Sequence, residues 1–137
     1  LAATTAADDA EAVQLPKTSQ ARFELDLRQS MDWIKRHDNK VGTVQILLLS
    51  YENFNPDNYY EYVDNLVRRG ADADKLHVFK TYTGNREVYS VFYDEFASRK
   101  AAIGAIDGLP KVLRDTSPLA RSVGGLWQEI RRLEARN

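Results

Sequence analysis

Residues 76–96 read LHVFKTYTGNREVYSVFYDEF. Two runs rich in Val, Thr, Tyr and Phe, 77–82 and 87–93, flank Thr83-Gly84-Asn85-Arg86. Such side chains suit a pleated, half-buried surface, and a Gly-Asn pair supplies the positive φ of a tight reversal. The stretch therefore predicts a β-hairpin. Its second strand alternates, with Tyr89, Val91 and Tyr93 on one face and Ser90 and Phe92 on the other. A hairpin alone is marginal in water, so the flanking chain must supply further strands and cover one face.

Upstream, residues 41–50 predict an internal strand, because positions 46–49 are apolar whichever face they take. Asn55-Pro56 then opens a helix, a cap residue followed by proline in the first turn. Tyr59, Tyr62, Val63, Leu66 and Val67 form its apolar stripe, and Gly70 stops it. Downstream, Ser98 caps a second helix carrying Ala102, Ala105, Ile106 and Leu109, which Gly108 and Pro110 end. Val112 and Leu113 mark one more short turn, and residues 119–125 read as a short strand.

The order is β-α-β-β-α-β, two similar βα units around a hairpin. It predicts an α+β fold of the ferredoxin or ribonucleoprotein kind, a four-stranded antiparallel sheet with two helices on one face. On this reading Val44, Ile46, Leu48, Tyr89, Val91 and Tyr93 face those helices. Gln45, Leu47, Ser90 and Phe92 face away, toward solvent or a terminal helix.

Both ends extend this unit. Residues 20–38 predict a helix with Phe23, Leu27, Met31 and Ile34 on one stripe, Thr18 or Ser19 as N-cap, and Trp33 off the stripe on the exposed side. Residues 126–137 predict a C-terminal helix with Leu126, Ile130 and Leu133 on its apolar side. Residues 1–19, rich in Ala and Thr with Asp8, Asp9 and Glu11, show no apolar period and read as a disordered linker. A start at Leu1, with no basic-then-apolar leader, reads as a piece of a longer protein.

Composition narrows the function classes. With 137 residues, 43% of them hydrophobic, the chain can bury one ordinary core. A net charge of −1 gives no electrostatic case for nucleic acid or an anionic membrane. The absence of cysteine excludes disulfides, thiolate metal sites and cysteine nucleophiles. His37 and His77 lack metal-site spacing, Asp72 and Asp74 are a calcium-loop fragment without its glycine or distal glutamate, and no phosphate-cradling or nucleophile-elbow motif occurs. Asp94 and Glu95, as strand neighbours, would point to opposite faces. The expectation is a non-enzyme with no catalytic residue, metal or cofactor.

A sheet with one open face is a binding platform for bases, sugars or another protein. Residues 87–93, EVYSVFY, lack the Lys/Arg-Gly-Phe start of a base-stacking strand. Gln45, Ser90 and Phe92 offer the amide, hydroxyl and apolar floor that a sugar uses.

Several of these segments resemble the SPOR domain, a cell-envelope module with the same element order. Thr43-Val44-Gln45-Ile46 is similar to its first-strand pattern. Tyr89 to Arg99, YSVFYDEFASR, resembles its third strand leading into G-x-F-x-S-x-x-x-A, with Asp94 at the glycine. Residues 118–123, PLARSV, resemble the fourth-strand P-W-x-R/K-x-V, with Leu119 at the tryptophan. The likeness covers residues 41–125. It implies binding of bacterial peptidoglycan, favouring glycan strands stripped of stem peptides at division sites, with Gln45 at the glycan-contacting glutamine. The expected site on the open face is Gln45, Leu47, Ser90, Phe92, Leu119 and Arg121. The implied setting is the periplasm, with no nucleic-acid partner and no membrane contact by this stretch, which an upstream part would tether. The alternative is a module docking other envelope proteins in a pilus, secretion or division machine, its sugar site lost.

Overall fold

The computed structural model describes residues 16–136. Helix α1 spans Ser19–Lys35, with the Thr18 side chain accepting from Ala21 N as its N-cap. Strand β1 is Gly42–Ser50 and α2 is Pro56–Arg68, capped by Asn55, whose side chain accepts from Asn58 N. A 3₁₀ turn, Ala73–Lys75, leads into β2, Leu76–Thr83, and β3, Arg86–Phe96. Then come α3, Arg99–Ala105, a 3₁₀ turn at Ile106–Gly108, α4, Lys111–Arg114, β4, Leu119–Ser122, and α5, Val123–Arg136. Residues 1–15 of the expected linker lie outside the described residues, and Ser19 already belongs to α1.

The four strands form one antiparallel sheet in the order β2-β3-β1-β4, so the fold is the α+β, ferredoxin-like arrangement the element order predicts. Gly84 and Asn85 both take positive φ, 57° and 65°, and close the hairpin between Thr83 and Arg86. On one face, Val44, Ile46, Val78, Val91 and Tyr93 pack with Tyr59, Val63 and Leu66 of α2, Ala102 of α3 and Leu113 of α4. Val44, Val91 and Leu113 are wholly buried. Each such aliphatic contributes roughly 1.5–3 kcal/mol on leaving water.

The opposite face is also covered, by the two terminal helices. Trp33 and Ile34 of α1 and Val123, Leu126 and Ile130 of α5 enclose Phe79 and Phe92 in a second core. Helix α1 joins both cores: Phe23, near its start, packs with the α2 side, and Trp33, near its end, with the α5 side. Trp33 is therefore buried, where its position off the apolar stripe predicts exposure. The stripe assumes one packing partner, and this helix has two. Helix α5 begins at Val123, so the expected strand over 119–125 is cut to Leu119–Ser122, with Gly124 and Gly125 inside the first helical turn.

Two irregularities reset the faces of the sheet. Gln45 pairs with Phe92 but Leu47 with Val91, so Ile46 is an extra residue in β1. Such a bulge reverses the alternation beyond it. Leu47 and Leu49 consequently turn to the α2 side and Leu48, opposite Ser90, to the other, the reverse of what strict alternation predicts. The second irregularity lies in β3 between Tyr93 and Phe96, where Asp94 has φ of 64°. That is a conformation glycine adopts freely and aspartate only at some cost. Thr43, wholly buried, donates from Oγ1 to Asp94 O at 2.7 Å and so ties β1 to the bulge.

Gly42 begins β1 beside the cap of α3. A Cβ there would sit 2.1 Å from Ser98 O, so only glycine lets these two backbones meet.

Candidate functional site

The six residues expected on the open face divide into three groups. Ser90 and Phe92 do point away from α2, but both are 0% exposed. Phe92 sits under α5 with Phe79, and Ser90 Oγ shares a 2.9 Å hydrogen bond with Thr81 Oγ1. Neither offers a surface to a ligand, because α1 and α5 supply the cover that the sequence pattern leaves open. Leu47 is on the wrong side altogether, carried to the α2 face by the bulge at Ile46.

Gln45, Leu119 and Arg121 remain together. Leu119 and Arg121 of β4 pair with Gln45 and Thr43 of β1, which places them on one face. Arg121 Nη1 donates to Gln45 Oε1, and Arg121 Nη2 donates to Glu129 Oε2 of α5 at 2.7 Å. The guanidinium stands 6.0 Å from the centre of the Phe92 ring. Side-chain exposures of 18% and 15% for Arg121 and Glu129 make this ion pair one of low solvent contact. Leu119 is 55% exposed and Leu48, brought to this side by the bulge, 43%. The strip is thus the Gln45 amide, held by a largely covered guanidinium, on the same face as two exposed leucines.

Leu48 and Glu129 join the strip without a sequence signal. Four consecutive apolar residues, 46–49, carry no alternation from which a bulge can be read. Nothing in α5 marks Glu129 as the partner of an arginine eight residues earlier.

A second polar group ties α1 to the other end of β3. Glu95 accepts from Trp33 Nε1 at 2.9 Å, and its other oxygen lies 2.7 Å from His37 Nε2. The Trp33 bond first, and then the His37 bond, hold the Glu95 carboxyl below the usual glutamate range. His77 stacks on Trp33 at 4.0 Å between ring centres, and burial lowers its pKa to about 4. Glu95 therefore works as a clasp between helix and sheet. On the α2 side, Tyr60 donates to Asp26 of α1, and burial together with that bond pushes its phenol above the ordinary range.

Among the described residues, no cluster of three His, Cys, Asp or Glu side chains is placed to hold a metal ion. Among them, too, no helix is long and apolar enough to cross a membrane. Comparison with family models, curated proteins and solved structures finds no match to this chain.

Proposed function

We propose that this chain is a non-catalytic binding module of the SPOR kind, which holds denuded glycan strands of peptidoglycan in the bacterial periplasm. The supporting observation is the strip of Gln45, Arg121, Leu48 and Leu119 on the half of the second face left accessible beside α5. With Gln45 Oε1 accepting from Arg121, the amide nitrogen keeps its two donors for sugar hydroxyls or acetamido carbonyls. Leu48 and Leu119 supply apolar contact on either side of it. The order of the three SPOR-like segments along the chain supports the same reading. In this proposal the ligand meets the strip alone, and the buried Phe92 and Ser90 shape it from below.

Co-sedimentation with purified sacculi, before and after enzymatic removal of stem peptides, tests the proposal. The chain is expected to be retained, more strongly on stripped sacculi, and the double variant Gln45→Ala, Leu119→Ser to be lost from the pellet while remaining folded. Each contact removed is worth on the order of 1 kcal/mol, enough to matter for a ligand with few others. Retention of the double variant at wild-type level would defeat the proposal.

A role in docking another envelope protein is favoured by a different observation, the edge of β1 beyond the reach of β4.

A further inference from the structure

We infer that Glu129 is a specificity-determining residue of the strip. By holding Arg121 it leaves an uncharged donor, which reads the N-acetyl groups of a glycan and passes over its carboxylates. This rests on the proposed glycan function and names the chemical handle by which that site takes its ligand.

Two hydrogen bonds of Arg121 set the chemistry. Arginine has donors and no acceptor, so its Nη1 bond to Gln45 fixes how the amide lies, oxygen toward the guanidinium and nitrogen away. Among the described residues Gln45 Nε2 has no partner, and no buried side-chain nitrogen or oxygen is left unpaired, so this –NH2 meets solvent. The second bond, Arg121 Nη2 to Glu129 Oε2 at 2.7 Å, is an ion pair whose two side chains are both mostly covered.

A carboxylate at that distance cancels most of the guanidinium's field, and little guanidinium surface is left for a second carboxylate. Arg132, a turn further along α5, is exposed. A solvated cation of that kind adds only a small attraction, which salt screens. The strip therefore contains an arginine yet exerts little pull on an anion.

The apolar neighbours complete the fit. Leu119 stands directly across the ladder from Gln45, and Leu48 is the next residue of β1 on that face beyond the bulge. Both are exposed. An acetamido group is a carbonyl acceptor with a methyl on the same carbon. Its carbonyl suits the Gln45 –NH2, and its methyl suits a leucine beside that donor. A plain hydroxyl would use the donor and leave the leucines wet. A glycan strand freed of stem peptides offers two handles, an acetamido group on each sugar and a lactyl carboxylate on alternate ones. The geometry favours the first.

Chemically modified sacculi separate the two handles. Stripped sacculi are used as they are, with their carboxylates converted to methylamides, and after N-deacetylation, the last read at high salt so that the new amines are screened. Retention of the 137-residue chain should stay within about twofold on amidation, and on raising salt from about 50 to 500 mM. Deacetylation should lower it about tenfold. In solution, the Gln45 side-chain amide and Leu119 methyl signals of the labelled chain should move with millimolar chitotetraose. They should not move with cellotetraose, which carries hydroxyls in place of acetamido groups. Glu129→Gln keeps the shape of the side chain and removes its charge. Its retention on stripped sacculi should rise about tenfold at low salt, a gain that high salt or amidation removes. If that variant does not fold, the wild-type arms decide. The inference is overturned, with the glycan reading intact, if amidation or salt releases the wild type, or if deacetylation changes nothing. It is equally overturned if cellotetraose acts as chitotetraose does, or if folded Glu129→Gln behaves as wild type. No retention on any sacculus and no response to either sugar would end both.

Discussion

Ser30 Oγ accepts the outward N–H of Val78 at 2.9 Å, and both residues are buried. This hydroxyl takes one outward donor of β2 and ties α1 to the sheet. Ser30→Ala leaves a buried donor unpaired and should cost about 1–3 kcal/mol. Urea denaturation measures the loss, and amide exchange at Val78 should quicken in the same variant. A cost below half a kcal/mol would mean that water replaces the hydroxyl.

Phe92 belongs to the core beneath α5, and its truncation tests that placement. Phe92→Ala should cost about 3–5 kcal/mol, the penalty of a large cavity. Leu119→Ala, on the exposed strip, should stay within about 0.5 kcal/mol. Equal effects in denaturant melts would contradict the covered face.

At Asp94 the backbone, more than the carboxylate, sets the preference. Asp94→Gly relieves the left-handed φ while losing the Asp94 Oδ1–Glu95 N bond and the 3.6 Å pair with Lys75, and should fall within about 1 kcal/mol of the parent. Asp94→Val loses the same contacts and adds the full left-handed strain, so it should cost about 1–2 kcal/mol more than the glycine variant. Thermal melts of the two variants should rank in that order.

His77 gives the fold an acid limb. Its folded pKa of about 4 lies below the roughly 6.5 of a free imidazole. As pH falls below about 6.5 the unfolded chain takes up the proton first, so stability present above that pH is lost progressively down to about pH 4. The gap corresponds to at most about 3 kcal/mol. Glu95, with its pKa lowered by Trp33 and His37, loses its stabilising charge in the same acid direction. His77→Phe keeps a ring against Trp33 and should flatten the slope between pH 6.5 and 4 in a series of urea melts. An unchanged slope would place the titrating group elsewhere.

The hairpin, the two capped helices and the four-strand order were legible because their signals are local: Gly84-Asn85, Asn55-Pro56 and Ser98 each act within a turn. The candidate site was legible only in part, since facing depends on register. One extra residue at Ile46 exchanges Leu47 for Leu48, and a uniformly apolar run hides it. The burial of Phe92 and Trp33 depends on where two terminal helices cross the sheet, and amphipathic period says which side of a helix is apolar but not what that side meets. Gln45, Leu119 and Arg121 survive as a group because they sit before the bulge, on strands whose pairing follows from the fold alone.

Gly42 and Gly84 would separate in a saturation mutagenesis screen. Gly84 has positive φ but open space around it, so asparagine or aspartate should be recovered there among functional clones. Gly42 lies against the Ser98 carbonyl, which no change of rotamer can move, and its column should be empty. Among diverged homologues position 84 would drift and position 42 would not, which makes Gly42 the anchor from which to align distant sequences of this fold.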